Sequence, residues 1–118
     1  MKFMLMMNAP RGNGDWAVHE WPAESLKSHI RFMKKLVVDL RDAGQLVSAE
    51  GLASPQQARI VRGDKTGAPE VTDGPFAEAK EFLAGYWIVD VASKEEVYAI
   101  AARASMAPGA DGKPLHLP

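Results

Sequence analysis

The sequence predicts an α+β fold of the ferredoxin-like kind, a βαββαβ sheet with two helices on one face. Three observations predict it. The segments run in the order strand, helix, strand, hairpin, strand, helix and a short last strand. The chain has 118 residues, 47% hydrophobic and 25% charged, which suits one globular domain spanning 1–118. Two of the strands are apolar on both faces, although two helices shelter only one face of a sheet. A second copy of the chain is therefore expected over the other.

The first strand is expected at 2–7, with Phe3, Leu5 and Met7 on one face and Met4 and Met6 on the other. A strand apolar on both sides reads as central. Lys2 followed by apolar residues resembles the start of a signal peptide, but the run ends at Asn8-Ala9-Pro10-Arg11, too short to serve as one or to cross a membrane. From Asn8 to Trp21 the breakers Pro10, Gly12, Asn13 and Gly14 predict a loop. Trp16 and Trp21 within it imply that it packs against something, and a loop of this kind is suited to covering a site.

Over Pro22 to Ala43, Leu26, Ile30, Met33, Val37 and Leu40 recur at steps of four and three, the spacing of one helical face. Pro22 fits the first turn and Gly44 the position past the end. Gln45 to Leu52 reads as the second strand, broken by Ser54-Pro55. Ala58 to Arg62 and Glu70 to Asp73 flank the turn-rich Gly63 to Pro69, predicting a hairpin with an exposed tip.

Phe82 to Val91 is the longest strand, with Leu83, Trp87, Val89 and Val91 opposed to Phe82, Tyr86 and Ile88. Ser93-Lys94-Glu95-Glu96 is a capping-box pattern: Ser93 accepts from the amide of Glu96, whose carboxylate reaches back. Val97, Ile100, Ala101 and Ala104 then form the buried stripe of a second helix, and Leu115-His116-Leu117 begins a short last strand.

Composition narrows the function. A formal net charge of −1 gives no basic field for phosphate neutralisation, so no nucleic-acid partner is expected. The absence of cysteine excludes disulfides, thiolate nucleophiles and cysteine-based metal sites, and suits the cytoplasm. His19, His29 and His116 share no ligand spacing, and neither a P-loop, a GxSxG elbow nor a Rossmann glycine pattern occurs. No metal or cofactor is expected, and no membrane span.

The stretch Val71-Thr72-Asp73-Gly74-Pro75-Phe76-Ala77-Glu78-Ala79-Lys80-Glu81, followed by Leu83-Ala84-Gly85-Tyr86-Trp87-Ile88-Val89, closely resembles the signature of the DGPF group of YCII-related proteins. Met1-Lys2-Phe3-Met4-Leu5, Ala43-Gly44, Glu50-Gly51-Leu52 and Ala101-Ala102-Arg103 carry the resemblance over nearly the whole chain. It implies a dimeric α+β barrel, in which two sheets pack face to face around a pocket in each subunit. It also implies a genomic setting beside extracytoplasmic-function sigma factors. Members of the family finish with a last strand of the type Ile-Glu-Val-Arg-Pro, whereas this chain stops at Pro118, so its final strand is expected to be shortened.

The resemblance also implies a His–Asp pair at the pocket. Asp73 precedes Gly74-Pro75, where its carboxylate serves either as a general acid/base or as the acceptor for Phe76 or Ala77 amides in an Asx-type turn. His29 lies on the flank of the apolar helix face, about one turn before the family's usual position near Met33. It reads either as the acid/base partner of Asp73 or as a satisfied core histidine. Phe76 and Tyr86 are candidate substrate contacts or core residues, and Arg103 either binds an anionic substrate or pairs with a carboxylate. Glu78, Lys80 and Glu81 line a pocket mouth or form a solvated turn. Two functions follow as expectations: a domain that binds a small cyclic or aromatic metabolite and moves a proton, or a non-catalytic regulatory partner in sigma-factor signalling.

Overall fold

A computed structural model of the chain describes residues 1–12 and 16–118. Of the segment expected to form the covering loop, 13–15 lie outside the described residues. The elements are strand β1 (Lys2–Pro10), helix α1 (Ala23–Asp42), strands β2 (Leu46–Gly51), β3 (Arg59–Gly63), β4 (Pro69–Asp73) and β5 (Glu81–Asp90), and helix α2 (Lys94–Ser105). Single 3₁₀ turns occur at Val18–Glu20 and Pro55–Gln57. The fold is α+β, as expected, and its order and antiparallel pairing are consistent with a ferredoxin-like sheet.

The main sheet has the order β1-β5-β2. β5, not β1, is therefore the central strand, and β1 lies at an edge. The reason is the last strand, which does not form. After α2 the chain turns through a bridge between Pro108 and Pro114. It then returns along the end of its own helix, Leu115 N–H donating to Ala107 O at 2.9 Å and His116 N–H to Ser105 O at 2.8 Å. Leu117 still packs on the core.

β1 also runs further than expected, through Asn8, Ala9 and Pro10. Pro10 pairs with Glu81, a position open to proline because an edge strand has a side without ladder partners. A register shift between Met7 and Asn8 changes which β5 residues point inward. Phe82, opposite the buried Ala9, joins Trp87 and Val89 on the helix-covered face, while Leu83 leaves it half-buried.

Leu36 and Leu40 of α1 and Ile100 and Ala104 of α2 meet Leu5, Met7, Trp87, Val89 and Val91 in one core. The stripe expected on α1 is thus split. Its C-terminal end is buried, with Leu36 added to it, while Ile30 stays 42% exposed. α1 ends as the sequence requires: Gly44 takes φ 71°, Gly44 N–H bonds Arg41 O and Gln45 N–H bonds Leu40 O, each at 2.9 Å. α2 starts with half of its capping box. Glu96 N–H donates to Ser93 Oγ at 3.3 Å, but the Glu96 carboxylate accepts from Gln45 Nε2 at 3.3 Å instead of reaching back.

β3 and β4 form the expected hairpin as a separate two-stranded sheet. All of its residues except Ile60 are exposed, including the cross-strand pair Val61 and Val71. Its tip is tied by Asp64, whose Oδ1 accepts from Thr66 N–H at 2.7 Å and Ala68 N–H at 3.0 Å. This arm explains the radius of gyration of 16.4 Å, against roughly 13–14 Å for a compact domain of this length. The opposite face of the main sheet carries Met4, Met6, Tyr86 and Ile88; both methionines are more than half exposed.

A candidate ligand cavity under helix α1

A cavity of about 390 Å³ lies between α1, the sheet and the segment that precedes the helix. Leu26, Ile30, Met33 and Val37 of the apolar stripe line it from α1, Met33 and Val37 also packing against the core. Met7, Gly85 and Trp87 supply the sheet side. Trp16 and Val18, from the segment between β1 and α1, close one end. Gly85 has no side chain here for a steric reason: a Cβ would lie 2.8 Å from the Glu50 carbonyl oxygen on β2. The two strands approach closely because that methyl is missing.

His29 lies on the cavity wall and is fixed from two directions. Its Nδ1 is 2.8 Å from Pro108 O in the loop after α2. A carbonyl only accepts, so Nδ1 carries a proton, and in the neutral ring Nε2 is left with a lone pair. The ring also meets Trp21 at a centroid distance of 5.4 Å and Trp16 at 6.1 Å, both edge to face, and the two indoles contact each other at 5.2 Å. Trp16 adopts φ 60°, the left-handed region that a bulky residue enters only when its surroundings hold it there.

Of the other residues singled out by the sequence, Tyr86 borders this cavity from β5 between Gly85 and Trp87, while its place in the strand belongs to the outer sheet face with Met6. Asp73 does not border it. It is the last residue of β4, its side chain is 98% exposed, and its carboxylate lies 3.7 Å from Arg59 Nε, the residue opposite it in the hairpin register. Phe76 is 56% exposed beyond the arm, and its carbonyl accepts from Arg11 Nη1 at 3.3 Å. Pro75, joined to Gly74 by a cis peptide bond, borders a different depression, of about 470 Å³, at the foot of the hairpin.

Arg103 takes the carboxylate-pairing alternative. It donates to Asp39, which also meets Lys35 Nζ at 3.0 Å, so the guanidinium links α2 to α1. The Arg103 hydrogen bond, followed by that of Lys35, holds the Asp39 carboxyl below its ordinary range.

The site residues to which sequence reasoning gave no role are Gly85 and Pro108. The two tryptophans were the legible signal, since large rings in a breaker-rich loop require a packing partner. Among the described residues no three His, Asp or Glu side chains gather as a metal site, and no helix is long and apolar enough to cross a membrane.

Comparison with known proteins places this geometry in a family. The family model for the YCII-related domain matches residues 1–110. An uncharacterised protein of Rhizobium meliloti (strain 1021) is 31% identical over 84 residues, covering 71% of this chain and 67% of that protein.

Proposed function

The chain belongs to the YCII-related domain family, and from that premise we propose that its cavity binds a small metabolite on which His29 moves a proton. The observation that carries this reading is the anchored imidazole. With Nδ1 committed to Pro108 O, the ring has one neutral tautomer, and Nε2 is the atom left to accept a proton. The cavity lining is mostly apolar, a surrounding in which a hydrogen bond to that atom is strengthened. Isomerisation or elimination on a small ring needs a positioned base and little else.

In this reading the protein works as a homodimer, the second copy covering the outer sheet face. Met4 and Met6 are 53% and 54% exposed there, beside the half-buried Tyr86 and Ile88. Covering large apolar side chains contributes roughly 1.5–3 kcal/mol each, comparable in sum with the ~5–15 kcal/mol net stability of a domain.

The test is a metabolite screen by ligand-observed NMR in D₂O with the full chain, His29→Gln and Asp73→Ala. Bound ligands should exchange a C–H for deuterium, and His29→Gln should slow that exchange about 100-fold or more while binding persists. Unchanged exchange in His29→Gln would refute the assignment, and Asp73→Ala decides whether the hairpin carboxylate takes part. Stoichiometric capture of a neighbouring sigma factor, with no ligand found for the cavity, would favour the regulatory reading instead.

A further inference from the structure

We infer that the ligand of this cavity is a neutral ring compound presenting one weakly acidic O–H or N–H, the class of phenols, enols and azoles, and not an anion. The inference rests on reading the cavity as a ligand site and names its chemistry.

Charge decides first. Among the described residues, the wall carries one carboxylate-bearing residue, Glu50, and neither lysine nor arginine. Arg103, the cation that the sequence offered to an anionic substrate, is committed to Asp39 on the far side of α1. Lys27 of α1 reaches back to Glu24 at 3.4 Å, and Lys35 meets Asp39. A carboxylate or phosphate entering here would lose its hydration without gaining a cation, and an unpaired buried charge is among the costliest groups to place.

Hydrogen bonding decides next. His29 lines the cavity, and in its neutral ring Nε2 is the acceptor left over, because Nδ1 already donates to Pro108 O. A ligand that only accepts would leave that lone pair unpaired in an apolar surrounding, whereas an O–H or N–H satisfies it. Shape decides last. Trp16 and Trp87 offer aromatic surface, and Met7 and Met33 offer polarizable thioethers, a wall suited to a flat ring.

The experiment uses four naphthalenes of matched size: 2-naphthol, 2-methoxynaphthalene, 2-naphthoate and 2-naphthylmethylammonium, titrated calorimetrically into the full chain at neutral pH. 2-Naphthol should bind roughly 2- to 12-fold tighter than 2-methoxynaphthalene, the worth of one hydrogen bond, and 2-naphthoate should bind weakest. His29→Phe should erase the naphthol advantage and keep the methoxy affinity. In the unmodified chain, naphthol should shift the His29 Nε2 resonance and methoxynaphthalene should not, a readout that does not depend on the variant folding. Tightest binding by the anion or the ammonium, or equal binding of the first two probes, overturns the inference while leaving the cavity a ligand site. Failure of all four to bind overturns the cavity reading and this inference with it.

Discussion

Gly85→Ala should destabilise the fold although it adds a single methyl. Gly85 is buried on the central strand, opposite Met7 on one side and Gly51 on the other. The added Cβ would sit 2.8 Å from the Glu50 carbonyl oxygen, closer than real Cβ contacts come, and 3.6 Å from the Gly51 Cα. Both neighbours are backbone in a paired strand, so relief requires moving β2 off β5. Overpacking of this kind costs about 1–3 kcal/mol, offset by about 0.4–1 kcal/mol from the stiffer unfolded chain. The net expectation is a loss of roughly 1–2 kcal/mol.

Gly51→Ala is the internal control. It faces Gly85 in the register, yet its Cβ would meet nothing within 4 Å. Its expected effect is neutral or stabilising by up to about 0.4–1 kcal/mol. Urea denaturation followed by circular dichroism measures both, and a lowered midpoint at unchanged slope is the expected signature for Gly85→Ala. Equal midpoints for the two variants would refute the argument that close strand approach is what excludes a side chain at Gly85.

Asp39→Asn removes the carboxylate that joins α1 to α2 through Arg103. Because the native carboxyl is held below its ordinary 3.8, the stabilisation is complete above that value and is lost as pH falls through the lower native one. The variant should therefore melt below the parent at pH 7, the gap starting to close only under about pH 4 and vanishing once pH has fallen past the lower native value, as thermal melts across pH would record; a gap that persists in strong acid would refute the link. Met6→Glu places a charge on the outer sheet face, where Met6 pairs with Tyr86. Sedimentation should show the parent as a dimer and the variant shifted toward monomer, and a parent that sediments as a monomer would remove the second copy from the proposed function.

Local chemistry was legible in the residues. Gly44 ended α1, Ser93 capped α2, and the turn residues between Arg62 and Glu70 made the hairpin, each through bonds that span only a few positions. Alternation in Lys2 to Met7 assigned the two faces of β1 correctly, because the pleat has a period of two. Beyond the register shift the same rule failed for Phe82 and Leu83, since a bulge is a property of two strands and not of one.

His29 was visible as a residue on the flank of an apolar face, and Trp16 and Trp21 as rings in need of a partner. That the three rings meet depends on how the loop folds back on α1, and that Pro108 fixes the imidazole depends on a contact across 79 positions of chain, which no local pattern encodes. Asp73 shows the converse. Its motif was the most specific in the sequence, yet the cross-strand register turns its carboxylate to Arg59 on the exposed arm, away from the cavity. Sequence by itself determined the order of the elements, the ends of α1 and the hairpin, and the two faces of β1 up to Met7. Only the tertiary structure decided that Trp16 and Val18 border the cavity beside α1 and that β2 comes close to β5 at Gly85, because both depend on which distant segments meet across the fold.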